Sequence, residues 1–173
     1  MINISCDIAS RVYEKLNELE ICYNSISHEA VFTMQECALR EKELGAVTAK
    51  NFFLATKHRD HFYLCLVRPQ ARFKSVDISR QIGSTRLNFG PEDHLLRLLK
   101  VHPGSVSPMG LIFDEQNEVQ LLVDSELTKL DKIAFHPCDN TQTLAMKTCD
   151  FFGRFLPAIG HEPRFVQIHD FMT

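Results

Sequence analysis

Apolar residues return along this chain with two different periods, and the points where the period changes divide it into elements. Ile8, Val12, Tyr13, Leu16 and Leu19 recur at helical spacing, which predicts a first helix capped by Ser5 or Asp7 and ending near Leu19. Residues 22–27 read as a strand. Thr33 followed by Glu36 is a capping-box signature for a second helix over 34–44, and Gly45 stops it. The helical period then gives way to short apolar runs. Residues 50–56 and 61–67 predict a hairpin around the polar turn 57–60, and Arg68-Pro69 ends it.

Helical spacing returns over 76–82, closed by Gly83, and a brief extended piece follows at 85–89. Pro91 sits near the first turn of another helix whose apolar content is Leu95, Leu96, Leu98 and Leu99. Residues 111–113 and 119–123, on either side of the turn 114–117, predict a second hairpin. One helical turn is expected at 125–130, a strand at 132–135 and an extended stretch at 141–146. A helix at 148–156 before Pro157 and a last extended piece at 164–168 complete the pattern. No linker, repeat or low-complexity tract interrupts it. The fold class expected is α+β, a single domain over 1–173 with a mixed, largely antiparallel sheet and helices packed around it.

Composition narrows the class. A chain of 173 residues, 45% hydrophobic, can bury one proper core. No apolar run approaches the ~20 residues of a membrane helix. The start, residues 1–7, lacks the basic region and apolar core of a secretory signal, so a cytoplasmic location and no membrane partner are expected. The six cysteines are scattered without a C-x-x-C pair and no H-x-x-x-H occurs. Neither a metal nor another cofactor is therefore expected, and the cysteines read as reduced, small core hydrophobes. The net charge of −3 argues against a general nucleic-acid binder. Its distribution is uneven, with +6 over residues 50–100 and −9 over the remainder. The middle can present a basic face on an acidic body, for which Arg72, Lys74, Arg80 and Arg86 are the candidate contacts to a polyanion; an ordinary solvated surface fits the same count.

Three stretches carry candidate chemistry. Lys50 stands at the entrance of the apolar run 52–55, where its stem can pack while its charge faces a cleft; an ordinary snorkelling lysine fits the same pattern. The segment 102–110 places Pro103, Gly104, Pro108 and Gly110 together. Such a loop can aim peptide N–H groups at developing negative charge, or simply make a tight connection. His136-Pro137, followed by Asn140, Thr141 and Thr143, puts polar side chains just beyond a buried strand. They read either as a pocket wall or as a structural histidine with its partners. There is no serine elbow and no cysteine in a nucleophile's context, so catalysis would rest on positioning, charge and a water.

Taken in order, 50–54 (Lys-Asn-Phe-Phe-Leu), 104–108 (Gly-Ser-Val-Ser-Pro) and 135–143 (Phe-His-Pro through Asn-Thr-x-Thr) resemble the motifs of the YbaK and prolyl-tRNA-synthetase-associated editing domains. The likeness extends to His28-x-x-Val31-Phe32-Thr33 in front and Gly160-His161-Glu162-Pro163 behind, covering roughly residues 5–168. It is greatest to the free-standing, PrdX-type members. The resemblance implies hydrolysis of mischarged tRNA(Pro), chiefly Ala-tRNA(Pro), in trans, with prolyl-tRNA synthetase as a further partner. It puts Lys50 at the essential lysine and Asn51 among the substrate contacts. Gly104, Ser105, Val106, Ser107 and Pro108 fall in the loop that holds the aminoacyl ester through backbone groups, and His136, Asn140 and Thr143 fall in the pocket. Phe52 replaces a more usual Leu, while Cys138 and Gln142 vary the third motif; these departures bear on amino-acid preference. Deacylation of Cys-tRNA(Pro) or another small misacylated residue stays open, as does a regulator that binds aminoacyl-tRNA or an amino acid without turnover.

Overall fold

In the computed structural model, which describes residues 4–30 and 34–170, the strands form two sheets. The first runs β1 (Tyr23–Ser27), β8 (Gln142–Lys147), β7 (Lys132–Phe135), β2 (Val47–Thr48), with only the β7–β2 pairing parallel. The second runs β5 (Leu87–Phe89), β3 (Lys50–Thr56), β4 (Phe62–Val67), β6 (Val119–Asp124), β9 (Pro163–Val166). Its β5–β3–β4 half is antiparallel and its β4–β6–β9 half parallel. The mixed α+β class is as expected; the strands occupy two sheets. Ala49 alone separates β2 from β3, so the chain crosses from one sheet to the other immediately before Lys50.

The reason for this arrangement lies in β4, whose six residues are all buried. A strand apolar on both faces needs cover on both. Phe62, Leu64 and Leu66 face the main core, shared with Phe53 and Ala55 of β3, Leu121 and Val123 of β6, and Phe135, Leu144 and Met146 of the other sheet. Val12 and Leu16 of α1 (Ile4–Glu18) and Leu95, Leu98 and Leu99 of α4 (Glu92–Leu99) join them. Tyr63, Cys65 and Val67 point the other way and meet Ile78 and Ile82 of α3 (Ser75–Ile82). A small third cluster sets Leu44 of α2 (Met34–Leu44) near Ala134 and Ala145. Among the described residues no helix is long and apolar enough to cross a membrane.

Three local expectations need correction. Residues 111–113 are not a hairpin strand: they end a 3₁₀ helix, Pro108–Phe113. Pro108 suits its first turn, and the Ser107 hydroxyl accepts from the Met109 N–H. β6 therefore pairs in parallel with β4 and β9, while the buried Asp114 carboxylate holds the turn by accepting from the Glu118 and Val119 N–H groups at 3.0 and 2.8 Å. The first helix is already running at Ile4, so Asp7 lies in its first turn, where its charge complements the helix dipole instead of capping the helix. The helix expected before Pro157 continues through it. Thr148–Asp150 leads without a break into a π-helical turn, Phe151–Phe155, and then Leu156–Ala158, so Pro157 falls near the end of one continuous helical run. Val31, Phe32 and the capping Thr33 lie outside the described residues.

Candidate active site

The junction between the sheets is also where the three motif stretches meet. Ala49 before β3, Lys50, Asn51 and Phe52 from its start, Gly104 and Val106 from the loop after α4, and His136 just beyond β7 line one cavity of about 320 Å³. Five residues singled out from sequence, Lys50, Asn51, Gly104, Val106 and His136, thus share a wall although up to 86 positions separate them.

Lys50 is exposed, and its Nζ donates to the Pro69 carbonyl at 2.5 Å. That carbonyl is itself well placed. Arg68 next to it donates through Nε to the fully buried Asp124 carboxylate at 2.7 Å and through a terminal nitrogen to the Ile168 carbonyl at 2.6 Å. An ammonium has three N–H donors, so two remain for a ligand. Among the described residues no carboxylate pairs with Lys50, which leaves its charge uncompensated at the cavity.

Asn51 ties β3 to the glycine loop: its Nδ2 donates to the Val106 carbonyl at 3.0 Å. Its Oδ1 is buried and has no hydrogen-bond partner within the described protein. A buried unpaired acceptor is costly, so a donor on a bound ligand is its natural complement. Gly104 has φ +92°, a conformation that side chains rarely adopt, while Gly110 is needed for room, since a Cβ there would stand 2.8 Å from the Leu99 carbonyl oxygen. The Ser105 N–H closes the turn onto the His102 carbonyl at 3.1 Å. Neither the Gly104 nor the Val106 N–H makes a backbone hydrogen bond among the described residues, and both residues line the cavity.

The histidine side is a linked pair. His136 Nδ1 faces the Gln142 carbonyl at 2.7 Å and must donate to it, so the neutral ring offers Nε2 as an acceptor. Burial holds the His136 pKa below its ordinary value of 6.5. The Gln142 carbonyl works against that shift, and the charges of His28 and Arg40 add to it. His28, not singled out for the site from sequence, has its ring centroid 6.1 Å from that of His136. Its Nδ1 donates to the Glu29 carbonyl, and in the neutral ring Nε2 accepts from the Thr143 hydroxyl at 2.8 Å. The signal for it was available, since His28 opens the front motif.

Other expected residues sit beside the cavity. Ser107 is fully buried, and its hydroxyl donates to the His136 carbonyl at 2.5 Å, fastening the glycine loop to β7; Pro108 is buried behind it. Both shape the wall from below. Asn140 approaches Gly104, its Nδ2 3.9 Å from where a Cβ would be. Thr143 is buried and reaches the site through His28. Phe52, regarded from sequence as a variant of the strand motif, lines the cavity directly. The thiols of Cys65 and Cys138 are pushed up to about 12 by burial, so neither is a nucleophile at neutral pH. Arg72 and Lys74 line a separate groove of about 330 Å³ with Asp77 and residues 167–170. Arg80 pairs with Asp77 at 3.6 Å, and Arg86 is exposed before β5.

The His136 arrangement sets a pH dependence. Above 6.5 the ring is neutral folded or unfolded; as pH falls below 6.5 the unfolded chain takes up the proton first, and stability drops until the folded pKa is reached. Melting temperature should therefore decline more steeply below pH 6.5 in the wild type than in His136→Gln. Parallel curves would place this titration elsewhere.

The aminoacyl-tRNA editing domain family matches residues 28–152, which hold every residue of the cavity. The prolyl-tRNA editing protein ProX of Acetoanaerobium sticklandii is 36% identical over 141 residues, 81% of this chain and 85% of that protein. Prolyl-tRNA synthetase associated domain-containing protein 1 of Danio rerio is 33% identical over 159 residues, 91% of this chain and 85% of its own. Among solved structures, a candidate trans-editing enzyme for prolyl tRNA synthetase superposes with a TM-score of 0.69 at 15% identity, covering 95% of this chain and 98% of that one. At that identity the likeness is one of fold.

Proposed function

Because this chain belongs to the aminoacyl-tRNA editing domain family, we propose that it hydrolyses mischarged tRNA(Pro), Ala-tRNA(Pro) first among its substrates. The observation that carries this reading is the single cavity in which Lys50, the Gly104 loop and His136 converge. The names of its relatives, which speak of prolyl-tRNA editing and of prolyl-tRNA synthetase, point the same way.

The reaction needs little from the protein. A water oxygen forms a bond to the ester carbonyl carbon, the bond to the ribose oxygen breaks, and that oxygen keeps a proton from the water; free amino acid and tRNA leave. Negative charge grows on the carbonyl oxygen in between. The Lys50 ammonium and the backbone N–H groups of Gly104 and Val106 are the donors to meet it. The unpaired Asn51 Oδ1 suits the substrate's α-ammonium. Neutral His136 offers an acceptor at Nε2 to the water or to the vicinal ribose hydroxyl, which itself helps to position that water. No covalent acyl-enzyme is involved.

Selectivity follows from size. A synthetic site shaped for proline admits alanine, because each absent methylene weakens binding by only about 1–3 kcal/mol. A second cavity walled by Phe52, Val106 and Ala49 can accept the smaller side chain and crowd the pyrrolidine ring. Release of free alanine with Ala-tRNA(Pro) in large excess over protein tests turnover. Many equivalents released support the enzyme; protection of the ester with no release would make the chain a binder.

The basic middle segment would hold the polyanion. Reversing charge at Arg72, Lys74, Arg80 and Arg86 together should weaken tRNA binding and flatten its salt dependence, each lost phosphate contact removing about 0.7–0.9 from the logarithmic slope. Turnover at saturating tRNA should persist. Equal slopes for wild type and variant would place the tRNA on another face.

A further inference from the structure

Phe89 is 71% exposed, the most open of the large apolar side chains among the described residues. It is not isolated. The β3–β5 register sets Phe89 opposite Leu54, so Phe52, two residues before Leu54, lies on the same face of the sheet. The Phe52 and Phe89 ring centroids are 6.1 Å apart, and Phe73 stacks on Phe52 at 4.3 Å with the planes 24° apart. Phe52 also lines the candidate active-site cavity. Phe52, at the cavity, is therefore the middle member of a row of three aromatic rings, with Phe73 stacked on it and the exposed Phe89 beside it.

Cations border the row, with Asp77 and Asp170 lining the far part of the same groove. Arg72 and Lys74 flank Phe73 along the chain, both are exposed, and both line the neighbouring groove. Arg86 is exposed three residues before Phe89. Aromatic faces bordered by cations form the general pattern for binding single-stranded nucleic acid: bases stack on the rings while the cations track the phosphates. A hydrophobic protein partner would have no use for three cations on the rim. The substrate chemistry supplies the matching piece, since the ribose that bears the ester also bears a base with free π faces. With the ester in the cavity, that base lies at the mouth.

We propose that Phe89, backed by Phe52 and Phe73, is a stacking platform for the unpaired 3′-terminal base of the tRNA, with Arg72 and Lys74 on the adjoining phosphates. This rests on the deacylase reading above and adds the subsite that seats the acceptor end. It makes Phe89 a residue for binding and positioning, outside the chemistry itself.

The chain contains no tryptophan, so Phe89→Trp introduces a single indole exactly where stacking would be read. Its emission should be quenched by an uncharged acceptor-stem minihelix ending in CCA and left unchanged by the same minihelix without its unpaired 3′ nucleotides. Phe89→Ala should raise KM for Ala-tRNA(Pro) about tenfold or more, the scale of one lost base stack, with kcat unchanged and with KM restored in Phe89→Trp. The high exposure of Phe89 makes Ala benign for folding, which a melting curve checks. Unaltered indole emission with the CCA minihelix, together with a wild-type KM for Phe89→Ala, would overturn the proposal while leaving the deacylase standing. If wild type failed to release alanine from Ala-tRNA(Pro), the deacylase reading would fall, and quenching by the uncharged minihelix would still support the platform on its own.

Discussion

Lys50→Ala should lower deacylation of Ala-tRNA(Pro) by about a hundredfold or more, the usual effect of removing one donor from a developing oxyanion, and should leave the melting temperature where it was. The two halves of this result have separate causes. Lys50 is exposed, and within the described protein its ammonium contacts only the Pro69 carbonyl, so its removal leaves no cavity and strands no buried charge. Its position at the sheet junction, with two N–H donors unused, is what the reaction loses. Lys50→Arg should not restore the rate, because a planar, delocalised fork cannot keep the Pro69 contact and present a compact charge to the same point. A Lys50→Ala protein with near-normal turnover and a normal melting curve would remove Lys50 from the site.

Gly104→Val should damage activity far more than Ser105→Ala. A Cβ at Gly104 has space, its nearest neighbour being Asn140 Nδ2 at 3.9 Å, so the damage would come from the backbone. At φ +92° a branched residue is strained by about 1–3 kcal/mol, and relief of that strain would change the course of the backbone that lines the cavity. Gly104→Ala should accordingly be impaired as well, though Ala is small. Ser105 contributes its N–H to the turn on His102, which Ser105→Ala preserves. Steady-state rates on Ala-tRNA(Pro) for the three variants check this order. A tolerant Gly104 beside a critical Ser105 would contradict the backbone account.

These expectations show which parts of the molecule are readable from sequence. Helix 34–44 and the hairpin of β3 and β4 have the predicted bounds or lie within one residue of them, because local signals decide them: Gly45 at φ +60° ends the helix, and a polar turn joins two apolar runs. Residues 111–113 misled because a three-residue apolar run has no period of its own. Pro108 and Ser107, just upstream, decide it in favour of a 3₁₀ helix. The parallel pairing of β6 with β4 and β9 was out of reach, since parallel register is set by distant packing and not by a turn.

The site divides along the same line. Lys50, Gly104 and His136 were visible as candidates: a charge before an apolar run, a glycine between prolines, a histidine closing a buried strand. Each also had an ordinary structural reading, and the family resemblance is what singled them out. Contacts made only by the fold were not visible. The His28–Thr143 hydrogen bond spans 115 positions, the Lys50 contact uses a backbone carbonyl that any residue could supply, and the Phe89 row depends on β5 pairing with β3. Ser107 stood inside a recognisable motif, yet only the structure shows its hydroxyl fastening the loop to β7.

The most direct test of the central claim is the single-turnover rate of ester hydrolysis on Ala-, Cys- and Pro-tRNA(Pro), measured side by side with protein in excess. The proposed editing of alanine over proline at the cavity of about 320 Å³ beside Lys50 predicts rapid loss of alanine and a prolyl ester that decays no faster than in buffer. Equal hydrolysis of Ala- and Pro-tRNA(Pro), or none of either, would contradict it.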